Sequence, residues 1–293
     1  MSLISYVSLA EMQQQWITGN DSAAAEFVMI DYARRATGKV NLITRQCFSP
    51  RIDTINYTAT LKGRHISNKH NRLYLRDKLV ELTSVILADN TELVIDTDVS
   101  VRPKSGVPAS MLQMLAASTS SWLDTGGNDP YEGIKVKGVW CWRERYVDEG
   151  WQTTNDAVAD AEGISNTVTS ITVADVEGIS YLGGTPRFSM GQMIKVGSEY
   201  MAVVGVNVGD KKLTVIRGIR GSTAAEHDVE APILVFVPEY PIIRATQLIA
   251  AYDYQRRGVT TRAKFDGIRT VSGVEVPEEV AAILKGYIVK EIK

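Results

Sequence analysis

Apolar positions recur at helical spacing near both ends of the chain and at alternating spacing through its middle. Residues 241–258, PIIRATQLIAAYDYQRRG, carry Ile242, Ala245, Ile249 and Tyr252 on one apolar stripe. Pro241 suits a first helical position, where its missing N–H would lack a partner anyway. Arg256 and Arg257 fall in the last turn, where cations favour the dipole, and Gly258 can take the left-handed position beyond it. One amphipathic helix cannot bury its stripe alone. Comparable helices are predicted at the other end, over 8–16 and 21–35. Ser8 and Glu11 have capping-box spacing for the first, which ends near Gly19. Asp21 can cap the second, with Ala24, Phe27, Val28 and Tyr32 on its buried side and Gly38 at its end. A last helix opens at Pro277, with Glu278 and Glu279 in its first turn and Val280, Ile283 and Leu284 on its apolar side. Residues 287–293 are left over as a tail.

The middle reads as strands. Candidates lie at 55–61, 72–75, 80–87 and 92–96, and 134–142 places Ile134, Val136, Trp140 and Trp142 on one face. Met111, Leu115 and Trp122 suggest a short helix between strands. Residues 156–163 read as a polar linker into a second β unit with strands near 167–173, 193–196, 200–206, 212–217 and 233–237. Its glycine turns suggest a small barrel or sandwich. Residues 259–273 are polar and mobile-looking. The predicted class is α+β: a small helical bundle formed by the N- and C-terminal segments, with two inserted β-rich modules of barrel or sandwich type. The domains are 1–44 plus 238–293, 45–155, and 156–237.

The 293 residues are 44% hydrophobic, ample for a packed core. Lys+Arg is 32 against 34 Asp+Glu, a net charge of −2, which argues against a tight grip on nucleic-acid phosphates. Two distant cysteines, Cys47 and Cys141, form no disulfide framework or paired metal site. The first residues lack a secretory signal's basic start and apolar core, and no apolar run reaches the roughly 20 residues of a membrane span. The expectation is a soluble protein made in the cytosol.

Motifs for chemistry are sparse. His65 and His70 are five apart, not a zinc spacing, and read as solvated loop residues; the third histidine is His227. Asp96 and Asp98 alternate at a strand end and could share a Mg²⁺ with further carboxylates, but turn capping is the plainer role. Gly218, Ile219, Arg220 and Gly221 read as a loop closing the β unit, and 178–185 as a plain turn without the lysine of a phosphate loop.

At 214–227, TVIRGIRGSTAAEH, with Ile171, Thr172, Val173 and residues 194–206, the chain resembles a β module common in structural proteins of tailed bacteriophages. The order of parts extends the likeness: Ala33, Arg34 and Arg35; Arg45 to Phe48; Arg72 to Leu75; the 80–87 strand with Asp89; Gly138, Val139 and Trp140; then the helices at 243–257 and 277–287. This arrangement resembles the phage head-tail connector (adaptor) family over nearly the full chain. Cys141 stands where a glycine often follows that tryptophan.

The resemblance implies a homo-oligomeric ring, commonly twelve-fold, below the portal protein, extending the DNA channel and docking the tail or next neck protein. Genomic DNA would pass without specific binding, and no membrane, cofactor, metal or catalytic residue is implied. The protein would be made in the host cytoplasm and reside in the virion neck. The implied interface residues are Arg244, Arg256 and Arg257 on the 241–258 helix, and Tyr287, Ile288, Val289, Lys290 and Ile292 in a portal-contacting tail. Two alternatives are a tail or baseplate protein with the same β module, and a metal-dependent nuclease using Asp96 and Asp98.

Overall fold

A computed structural model describes residues 4–15, 23–60, 65–67, 71–131, 133–181, 183–256 and 267–289. They fall into two compact units, Met1–Phe48 with Glu149–Lys293, and Ser49–Asp148. The class is α+β, with four α-helices and three antiparallel sheets among the described residues.

The first unit opens with α1 (Leu9–Gln15), closed by the predicted capping box: the Ser8 N–H donates to Glu11 Oε2 at 2.6 Å, and the Glu11 N–H to Ser8 Oγ at 3.3 Å. Trp16, Gly19 and Asp21 lie outside the described residues, as does the side chain of Ala24. α2 (Ala23–Thr44) does not stop at Gly38 but runs on, and the chain turns at Arg45 with φ 56°. One interior glycine costs about 1 kcal/mol, less than the packing of the turn beyond it contributes. That turn buries Val40 and Ile43 completely. Phe27, expected inside, is 61% exposed, while Met29, Ile30, Ala33 and Ala36 are buried. Neighbouring elements, not apolar count, choose the covered face of α2.

The second unit is one sheet. Its strands β1 (Arg51–Tyr57), β2 (Arg72–Ile86), β3 (Val99–Arg102), β4 (Ala109–Met114) and β5 (Ile134–Trp140) lie in the order β1-β5-β2-β4-β3. The 15-residue β2 pairs with β4 through its first half and β5 through its second, with Leu79 opposite both Ala109 and Trp140. Leu73, Leu79, Val85, Leu112, Val136 and Trp140 are among its core residues. The short helix expected on Met111, Leu115 and Trp122 is replaced by β4, because ladders on both sides satisfy its backbone and Leu112 and Met114 alternate inward. Trp122 is fully buried in the following loop. Residues 92–96 form only isolated bridges, Ile86 with Glu92 and Ile95 with Val99. Trp142 lies beyond β5, with Lys78 Nζ 5.1 Å from its ring centroid.

Back in the first unit, β6 (Trp151–Ala157), β7 (Ser170–Thr172), β8 (Met193–Val196), β9 (Glu199–Asn207), β10 (Lys212–Ile216) and β11 (Pro232–Phe236) form a sheet ordered β6-β11-β8-β9-β10-β7. Its core includes Ile171, Ile194, Met201, Val203, Leu213 and Ile233. Its two edges approach at a single bridge, Val158 with Val173, and form no ladder there, so the sheet is not a closed barrel. The five-stranded sheet is open too, so neither β unit is a closed barrel. The expected linker at 156–163 begins instead inside β6. The fully buried Asp156 carboxylate accepts from the Ala174 and Asp175 N–H groups, each at 2.9 Å, and from Arg187 Nη1 at 2.8 Å.

The chain ends with α3 (Tyr240–Arg256), a hairpin of β12 (Ile268–Val271) and β13 (Val274–Pro277), and α4 (Glu278–Leu284). The hairpin occupies part of the segment expected to be mobile; 259–266 lie outside the described residues. α3 buries the predicted Ile242, Ala245, Ile249 and Tyr252, and α4 buries Val280 and Leu284. α2 packs against α3: Lys39 Nζ lies 2.7 Å from Asp253 Oδ2, and the Tyr32 and Tyr254 rings meet edge-on at 5.7 Å. Helices from the two chain ends thus share one packed unit.

Candidate functional site

The candidate interface residues lie on α3 and the segment after α4. Arg244 Nε faces Glu279 Oε1 at 3.4 Å, and Arg256 Nη1 donates to Glu275 Oε2 at 3.0 Å and to the Tyr252 hydroxyl at 2.8 Å. The bond to Glu275 is the main reason the Arg256 guanidinium holds its proton more firmly than usual. Tyr287 is no loose tail. Its hydroxyl donates to Glu239 Oε2 at 2.7 Å, its ring meets Phe48 edge-on at 5.5 Å, and its carbonyl accepts from Gln46 Nε2. The Val289 N–H donates to the Thr44 carbonyl at 3.2 Å, Ile288 is half-buried, and the Val289 side chain is 39% exposed. Arg257, Gly258, Lys290 and Ile292 lie outside the described residues.

Within the β module, the 214–227 motif folds back onto one carboxylate. Glu199, at the start of β9, has a side chain with no exposed surface. Arg217 grips it bidentately, Nε to Oε1 and Nη2 to Oε2, both at 2.7 Å. The Gly218 N–H donates to Oε1 at 2.9 Å, the Ala225 N–H donates to Oε2 at 3.0 Å, and His227 Nε2 lies 2.9 Å from Oε2. Burial alone would raise the proton affinity of this carboxyl. The donors, led by Arg217, outweigh it and hold the pKa below the usual carboxylate value. A carboxylate so fully committed is a clasp that shapes the 218–227 loop. Sequence patterning does not single out Glu199. The signal it carries is one acid in the apolar 193–206 run, with Arg217 and His227 bracketing the motif.

The loop it shapes presents Arg220, at φ 57°, to Cys47, with Nη2 2.8 Å from Sγ. Elsewhere, Asp96 and Asp98 serve different partners. Lys104 Nζ is 3.0 Å from Asp96 Oδ1, whereas Asp98 Oδ2 accepts from the Val94 N–H at 2.9 Å, a turn cap. His65 is not simply solvated: Nδ1 lies 3.1 Å from the Tyr74 carbonyl and its ring stands edge-on to Tyr57 at 5.2 Å. His70 lies outside the described residues. Among the described residues, no helix is long and apolar enough to cross a membrane.

No family model matches the chain, and no curated protein matches it. A solved structure described as "Neck of empty GTA particle computed with C6 symmetry" matches with a TM-score of 0.41 at 10% identity, covering 97% of this chain and 90% of that one. So distant a likeness assigns neither fold nor function.

Proposed function

We propose that this protein is a structural component of a tailed-phage-like particle. It is a head-to-tail adaptor whose copies form a ring below the portal, extend the DNA channel and dock the tail. The observation that carries this reading is the joining of the chain ends: α2 packs on α3, and both β units are inserted between them. That is the frame implied by the order of motifs from Ala33 to the 277–287 helix. A head-to-tail interface repeats one patch against a different patch until rotation closes the circle. Such a subunit needs shaped surfaces rather than a reacting group. Its net charge of −2 suits a channel that lets a polyanion pass, since each phosphate contact would add drag.

The test is placement. An affinity tag on this chain, visualised on intact particles by electron microscopy, should lie at the junction of head and tail. Label along the tail or at its tip would favour the tail or baseplate alternative, and particles free of the chain would refute a virion role.

A further inference from the structure

α2 contains a residue that the rest of the unit does not explain. Gly38 sits mid-helix, where glycine is unfavourable relative to alanine. A Cβ built there meets nothing within 4 Å, so no internal crowding requires glycine. The face around it is exposed and carries apolar groups: Phe27 at 61% and Leu42 at 59%. Asp31, Arg35 and Gly38 lie between them at helical spacing. A bare glycine on such a face lets another backbone approach closely, as helix packing at small residues requires.

The same chain supplies a matching stripe. One side of α3 carries the exposed Tyr240 (74%) and Gln255, with the half-buried Arg244, Leu248 and Ala251 between them. Laid parallel with Gly38 against Ala251, the two stripes stay in step along their length. Asp31 and Arg244 both fall seven positions before the small residue, and Phe27 and Tyr240 both fall eleven before it. That register pairs aromatic with aromatic, acid with base, and small with small, and it sets Arg35 beside Leu248 and Leu42 beside Gln255. The intramolecular partners of the charged pair, Arg35 and Glu279, are partly exposed, and such surface pairs are weak enough to be shared or exchanged. From this we infer that the outer face of α2 receives this side of α3 from the next copy of this chain, with the backbones crossing at Gly38 and Ala251. The contact joins two different patches, as a closing ring demands, and so deepens the adaptor reading and rests on it.

The test uses the purified full chain, with light scattering after size exclusion and native mass spectrometry over a concentration series. The wild type should assemble into closed oligomers. Asp31→Arg and Arg244→Asp should each leave a folded monomer at concentrations where the wild type is assembled, and the two together in one chain should restore assembly. Gly38→Leu should block assembly without lowering the thermal midpoint, since the position is exposed, a Cβ there meets nothing within 4 Å and leucine is the better helix former. Wild-type rings that persist in the single variants or in Gly38→Leu, or that the double reversal fails to restore, would overturn this contact and leave the ring standing. A wild-type chain that stays monomeric at every concentration would overturn both.

Discussion

Replacing Glu199 by glutamine is a sharp perturbation of the β module. The change is nearly isosteric, yet it turns one acceptor oxygen into a donor group. On the Oε1 side the amide would face Arg217 Nε and the Gly218 N–H; on the Oε2 side it would face Arg217 Nη2, the Ala225 N–H and His227 Nε2. Either rotamer sets an NH₂ group against at least two donors. It also leaves the Arg217 side chain, only 5% exposed, without its counter-charge. Breaking a buried pair from one side costs about 3–5 kcal/mol. At roughly 2–4 °C per kcal/mol for a unit of this size, the midpoint of the transition that melts the first unit should fall on the order of 10 °C. Differential scanning calorimetry of wild type and variant at neutral pH reads this directly.

Acid supplies a second, independent readout. The folded carboxyl is held below its unfolded value, so its contribution is complete above about pH 4.3 and is lost as pH falls through the folded value. The gap between wild type and variant should therefore shrink on acidification below about pH 4. A neutral-pH loss under about 1 kcal/mol, or a gap that widens in acid, would show that this carboxylate does not hold the loop.

Three further outcomes follow from other sites. Gly138→Ala places a Cβ 2.3 Å from the Glu81 carbonyl oxygen, so β2 and β5 must separate; a loss of about 1–3 kcal/mol is expected in urea unfolding, and an unchanged midpoint would refute the close approach. Gly38→Ala should raise the stability of the monomeric chain by about 0.5–1 kcal/mol, the opposite sign, because the added methyl meets only open space. Burial pushes the Tyr57 phenol up to about 12, against the pull of the Arg76 N–H, so Tyr57→Phe should remove a late-ionising phenol from a spectrophotometric titration. The stability tied to that phenol should hold below about pH 10 and decline as the pH rises toward 12; loss of a phenol from the main ionisation near pH 10 would contradict its burial.

Several features are legible in the order of residues alone. The 241–258 stripe, the capping box at Ser8 and Glu11 and the final helix after Pro277 are local patterns, and each forms where its spacing places it. The strands around Val136, Ile194, Val203 and Leu213 are legible for the same reason, since alternation and glycine turns act within a few residues. The expectations that fail have a common cause. Gly38 looks like a stop because glycine is locally unfavourable, but packing across 38–44 outweighs it. Met111 to Trp122 match a helical spacing, but ladder partners from β2 and β3 make a strand. Asp156 looks like linker because it is polar, and lies buried because Arg187 and two amides meet it.

By itself, then, the sequence determined the secondary elements whose signal is short-range, the α+β class and the near-balance of charge. Which apolar residues stay outside, as Phe27 and Leu42 do, and which polar ones go in, as Glu199 does, follows from long-range packing. The reason is physical. A side chain's burial depends on what distant parts of the chain bring to it, and a carboxylate can enter the core only where Arg217, His227 and two backbone amides arrive together.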